Sequence, residues 1–88
     1  MTELKIGMLA RSLAGHDKGK WYVILDIDER SVFLTDGYIR PVQKPKKKNR
    51  VHIQPCYVES GVFAGSVPEH PEKMNTAIRK AIKTREDK

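Results

Sequence analysis

A single cysteine, Cys56, leaves no second thiol for an intramolecular disulfide and no cysteine cluster for zinc. No apolar run approaches the length of about 18 residues that a membrane-crossing helix needs. Nothing resembles the apolar region of a signal peptide either. The expectation is a soluble protein of a reducing cytoplasm, without membrane attachment. The chain is also short. Its 88 residues make one domain that buries only roughly 60–65% of its unfolded surface, so a deep catalytic cavity would be hard to accommodate. Apolar residues are 39% and charged residues 32%, which suits a small foldable domain with polar parts.

The most informative absence is of negative charge. No acid lies between Asp36 and Glu59, and in that interval stand Arg40, Lys44, Lys46, Lys47, Lys48 and Arg50. The whole chain has 17 Lys and Arg against 11 Asp and Glu, a net charge of +6. The other eleven basic residues are balanced by the eleven acids, so the excess equals the charge of this one segment. A concentrated patch of this kind points to a polyanion as partner.

The pattern of strands and turns is that of a small β domain. Residues 6–13 are modestly strand-like, and Lys20 to Asp28 is nearly continuous in apolar residues, a strand with both faces partly covered. Val32 to Thr35 reads as a third strand. Asp36-Gly37 signals a type I′ hairpin that returns the chain as a fourth strand, Tyr38 to Val42, kept at an edge by Pro41. Lys44 to Arg50 reads as a solvated loop, and Val51 to Gln54 as a short fifth strand stopped by Pro55. Residues 56–70, with Gly61, Gly65 and Pro68, read as a linker over the barrel surface. From Pro71 onward, Met74, Ala77, Ile78, Ala81 and Ile82 form an apolar stripe at helical spacing. That stripe is expected to dock near Phe33 or Tyr22. The expected organisation is a barrel over 1–55, the linker over 56–70, and an amphipathic helix with its tail over 71–88.

Between the first two strands lies Gly15-His16-Asp17-Lys18-Gly19-Lys20, followed by Trp21-Tyr22-Val23-Ile24-Leu25-Asp26-Ile27. This block resembles the KOW family, in which a Gly-x-x-Lys-Gly-Lys loop joins two strands. Thr35-Asp36-Gly37, Ile39-Arg40-Pro41-Val42, Lys44-Pro45-Lys46-Lys47-Lys48 and Val51-His52-Ile53-Gln54 extend the likeness over roughly residues 5–55. The ordered series looks like the bacterial KOW-domain RNA-binding proteins. Those are related to the fourteen-e group of large-subunit ribosomal proteins. The resemblance implies a mainly β fold, a small five-stranded SH3-like barrel of the KOW type with a short C-terminal α-helix. It further implies loops that touch RNA, often ribosomal RNA. The expectation is a non-enzymatic role in translation, with ribosomal RNA as the main partner, ribosomal proteins as further candidates, and a chain that is monomeric when free.

The chemistry of the residues agrees. Gly15 and Gly19 would let the backbone approach a phosphate, with Lys18 and Lys20 beside them as point charges. Arg40 can fork onto a phosphate or stack on a base. Lys44, Lys46, Lys47, Lys48 and Arg50 are expected in solvent as sequence-tolerant phosphate donors, and His16 and His52 as stacking or donating groups. Other readings stand beside these. The glycine loop could be only a turn, and the lysine run only a solvated loop. Trp21 reads as packing, and Cys56 as a small apolar residue. Tyr38 is open between packing and a base platform, and His52 between a ligand contact and a half-buried edge position. A module binding an acidic protein or peptide is the alternative function. Asp26 and Asp28 define no mechanism by themselves, and no base–nucleophile pair or metal spacing accompanies them, so no catalytic residue, metal or cofactor is expected.

Overall fold

The computed structural model describes residues 4–56 and 70–86. Five antiparallel strands, β1 (Leu9–Ser12), β2 (Trp21–Ile27), β3 (Ser31–Thr35), β4 (Lys46–Asn49) and β5 (Ile53–Pro55), form one sheet in the order β4-β3-β2-β1-β5. A 3-10 turn, Arg50–His52, joins β4 to β5, and a single helix, α1 (Pro71–Glu86), follows. The fold is mainly β, and this strand order is consistent with an SH3-like barrel.

The continuous apolar run of β2 is explained by two cores. Successive residues of a strand face opposite sides. Tyr22 and Ile24 join Ala10, Val32, Leu34 and Ile53 on the inner face. Val23 joins Leu9 on the other face, where Ile78 and Ile82 of α1 cover them, with Trp21, Val42 and Cys56 packed alongside. Leu25 is an extra residue in the β2–β3 ladder, since Ile24 pairs with Leu34 and Asp26 with Phe33. This bulge turns the strand over the core.

The helical stripe is as expected, with Ile78 and Ile82 buried and Met74, Ala77 and Ala81 half-buried. Its docking site is not. The helix sits on Leu9 and Val23, because the Tyr22 ring points into the inner core and leaves the other face of β1 and β2 to be covered. Asn75 is buried in the same interface. Its Oδ1 accepts from the Val42 amide at 2.8 Å and its Nδ2 donates to Gln43 Oε1 at 3.0 Å.

Three further expectations are corrected. The segment Tyr38–Val42 is not a strand, and Asp36-Gly37 is not a type I′ turn, because only Gly37 has positive φ, at 73°. The Asp36 carboxylate instead accepts from the amides of Tyr38 and Arg40, both at 2.8 Å. Thr35 Oγ1 donates to the Arg40 carbonyl at 2.6 Å. The chain is thereby wound into a loop over 36–45. The strand that pairs with β3 is the lysine run, with Leu34 opposite Lys46, Phe33 opposite Lys47 and Val32 opposite Lys48. Apart from Cys56 and His70, the expected linker 56–70 lies outside the described residues, as do the last two residues of the tail.

Candidate nucleic-acid interface

The glycine loop has the geometry its composition suggests. Gly15 and Gly19 adopt φ of 87° and 90°, a region that side chains with a Cβ rarely enter. The Ser12 amide donates to the Lys20 carbonyl at 2.9 Å and the Gly19 amide to the Ser12 carbonyl at 2.8 Å, closing the loop at its base. His16 and Lys18 stand exposed on it.

Asp17 turns inward. Its side chain is only 11% exposed and receives four donors. Lys46 Nζ lies 2.9 Å from Oδ2 and Lys48 Nζ 2.9 Å from Oδ1. The Tyr22 hydroxyl donates to Oδ2 at 2.7 Å and Ser12 Oγ to Oδ1 at 2.8 Å. Burial alone would raise this carboxyl's pKa, yet the bonds from Lys46, Tyr22, Lys48 and Ser12 outweigh it and hold Asp17 far below the ordinary 3.8. Burial raises Tyr22 above its ordinary 10.0, and the bond to Asp17 adds to this.

Lys46 and Lys48 are therefore not free in solvent: Lys46 is half-buried and both ammonium groups are paired. The alternation of β4 sends both to the inner face beside Val32 and Leu34, with the Lys48 side chain only 9% exposed and donating also to the Ala14 carbonyl at 2.9 Å. Lys47 alone of the three faces outward, its ammonium 6.0 Å from the centre of the Phe33 ring. Lys20 is also engaged within the chain, 2.6 Å from Asp36 and 5.3 Å from the Tyr22 ring centre. Burial opposes ionisation of Asp36, but Lys20 and the amides of Tyr38 and Arg40 overcome it and lower its pKa.

The predicted site residues thus divide into two groups. Lys20, Lys46 and Lys48 tie the basic segments together, the glycine loop to β4 through Asp17 and to the 36–45 loop through Asp36. The Leu13 amide, donating to the His52 carbonyl at 2.8 Å, adds the 50–52 turn to the same assembly. Lys18, Arg40, Lys44, Lys47 and Arg50, with His16 and His52, remain exposed. Arg50 Nη1 reaches the Glu29 carbonyl at 3.3 Å. Asp26 and Asp28 are exposed and accept from the amides of Ile27 and Glu29.

Sequence reasoning passed over Asp17 as an unremarked position within the glycine motif. The signal available for it was an acid flanked by glycines and lysines in a chain with a lysine run and no acid beside it. Arg79, which helical spacing puts on the basic face of α1 with Lys80 and Lys83, reaches the 36–45 loop, its Nη1 donating to the Gly37 carbonyl at 3.3 Å. Tyr38, left open between two readings, is 74% exposed. No cluster of three or more His, Cys, Asp or Glu side chains placed to hold a metal occurs among the described residues, nor is any helix among them long and apolar enough to cross a membrane. No family model and no curated protein matches the sequence.

Proposed function

We propose that this chain is a non-catalytic RNA-binding domain of the KOW kind, acting on ribosomal RNA in the cytoplasm. The observation that carries the reading is the set of five exposed cations, Lys18, Arg40, Lys44, Lys47 and Arg50, on segments that internal ion pairs hold to one another. The acids within these segments, Asp17 and Asp36, are matched by Lys46, Lys48 and Lys20, so the five exposed cations carry charge that these two acids leave uncompensated. Flexible lysines and loop arginines read phosphates and not base edges, which makes the binding strong in salt dependence and weak in sequence preference. The resemblance of residues 5–55 to KOW-domain proteins supports RNA over other polyanions.

A titration of single-stranded RNA across ionic strengths tests this. Neutralising about five phosphates gives a slope of log K against log salt near −3.5. A flat response rules out phosphate-led binding. Tight binding of an acidic peptide, with no affinity for RNA, would instead assign the surface to a protein partner.

A further inference from the structure

The groove between α1 and the 36–45 loop is not needed for the phosphate contacts above. It is lined by Lys20, Trp21, Asp36, Tyr38, Ile39, Arg79, Ile82 and Lys83. We propose that it seats one unpaired RNA nucleotide, with the base stacked on Tyr38 and the adjoining phosphate met by Lys83. The inference rests on the RNA-binding reading and adds to it a site for a base.

Tyr38 and Ile39 are 74% and 69% exposed, side by side at the loop tip. Being adjacent, they form a contiguous apolar patch beside a concave surface, a combination that marks contact sites. The loop that carries them is fixed in place. Asp36 Oδ1 holds the amides of Tyr38 and Arg40, and Arg79 Nη1 holds the Gly37 carbonyl. Gly37 lies so close to α1 that a Cβ there would clash with the Asn75 carbonyl oxygen. Asn75 grips the other limb through Val42. Tyr38 is therefore presented by an ordered support, which limits the entropy lost when a ligand stacks on it.

Charge and shape select the occupant. The single acid of the lining, Asp36, is committed to Lys20 and to two backbone amides. The other charged groups at the groove are cations, so an anion is favoured. The apolar side chains of Trp21 and Ile82 in the lining and the exposed Tyr38 ring favour a flat ring system on that anion, and Arg85, 5.1 Å from the centre of the Trp21 ring, adds a further cation beside it. A nucleotide carries both. A simple acidic peptide would use the cations and leave Tyr38 idle. A duplex keeps its bases stacked inside the helix, so the site discriminates for single strands.

The test compares unaltered protein with Tyr38→Ala, Tyr38→Phe and Lys83→Ala, by anisotropy of labelled oligouridylate and of an RNA duplex. Tyr38→Ala should weaken the single strand about tenfold and the duplex little, leaving the salt slope unchanged because no phosphate contact is lost. Tyr38→Phe should retain the affinity. Lys83→Ala should reduce the single-strand slope by about 0.7. Upfield shifts of the Tyr38 ring protons on adding oligouridylate give a readout independent of affinity. If the unaltered chain binds RNA and Tyr38→Ala binds it equally well, the groove assignment is overturned while the RNA reading stands. If the unaltered chain binds no RNA, both fall. Loss of affinity for an acidic peptide, but not for RNA, in Tyr38→Ala would also overturn it and make the groove a protein dock.

Discussion

Asp17 is where the largest electrostatic consequence of this fold is concentrated. One carboxylate, mostly removed from water, is shared between two ammonium groups and two hydroxyls. Removing one partner of a buried pair leaves the others uncompensated, at a cost of about 3–5 kcal/mol. Asp17→Ala should lower the unfolding free energy by about 3 kcal/mol in urea melts at neutral pH. The pH dependence follows from linkage. The folded-state pKa values of Asp17 and Asp36 lie below the ordinary 3.8, so their stabilisation is present above that value and is lost as pH falls below it. Tyr22 is shifted the other way, so its contribution is present below pH 10 and is lost as pH rises beyond it. Stability should therefore decline on both sides of this range. In Asp17→Ala the acid limb should flatten, retaining only the part due to Asp36, and the alkaline limb should weaken with the loss of the bond to Tyr22. An acid limb of unchanged steepness would mean that Asp17 is not ionised against its two lysines.

At the scale of elements, the helix is held by the sheet and the sheet by the helix. An isolated helix of the length of α1 is marginal in water, so its order depends on Ile78 and Ile82 covering Leu9 and Val23. Ile78→Ala should destabilise the protein by about 3 kcal/mol through the cavity left in that second core. The same substitution should speed amide exchange throughout α1 and in the 36–45 loop, which the helix grips through Asn75 and Arg79. Fast exchange along α1 in the unaltered protein would show that the helix is undocked.

For the molecule as a whole, the lysine run divides by face, and this separates stability from binding. Lys46 and Lys48 face inward to Asp17 and Lys47 faces outward, although the three are consecutive. Lys46→Ala with Lys48→Ala should lower the melting temperature by leaving Asp17 buried without a counter-charge. Lys47→Ala with Arg50→Ala should leave the melt nearly unchanged, reduce RNA affinity, and lower the salt slope by about 1.4 for two lost phosphate contacts. The reverse assignment of effects, with the outward pair unfolding the protein and the inward pair weakening RNA at full stability, would contradict the orientation of β4.

The residue order by itself determined the class of fold, the two-sided burial of β2, the positive-φ glycines of the first loop and the apolar stripe of α1. Each depends on a period, or on a backbone requirement, that local residues express: alternation around Val23, glycine at 15 and 19, and Ile78 and Ile82 one helical turn apart. It located the basic segments as well. Local patterning could not tell which lysines face water, because that depends on a counter-charge 29 residues away in sequence for Lys46. The strand in the lysine run was illegible for the same reason. A row of ammonium groups enters a sheet only where a carboxylate such as Asp17 waits on the inner face, while Asp36 bends the more strand-like Tyr38–Val42 into a loop. The tertiary structure alone decided the face on which α1 docks, since the Tyr22 ring fills the inner core and leaves Leu9 and Val23 for the helix to cover, and the exposure of Tyr38, which rides on the loop that Asp36 and Arg79 hold.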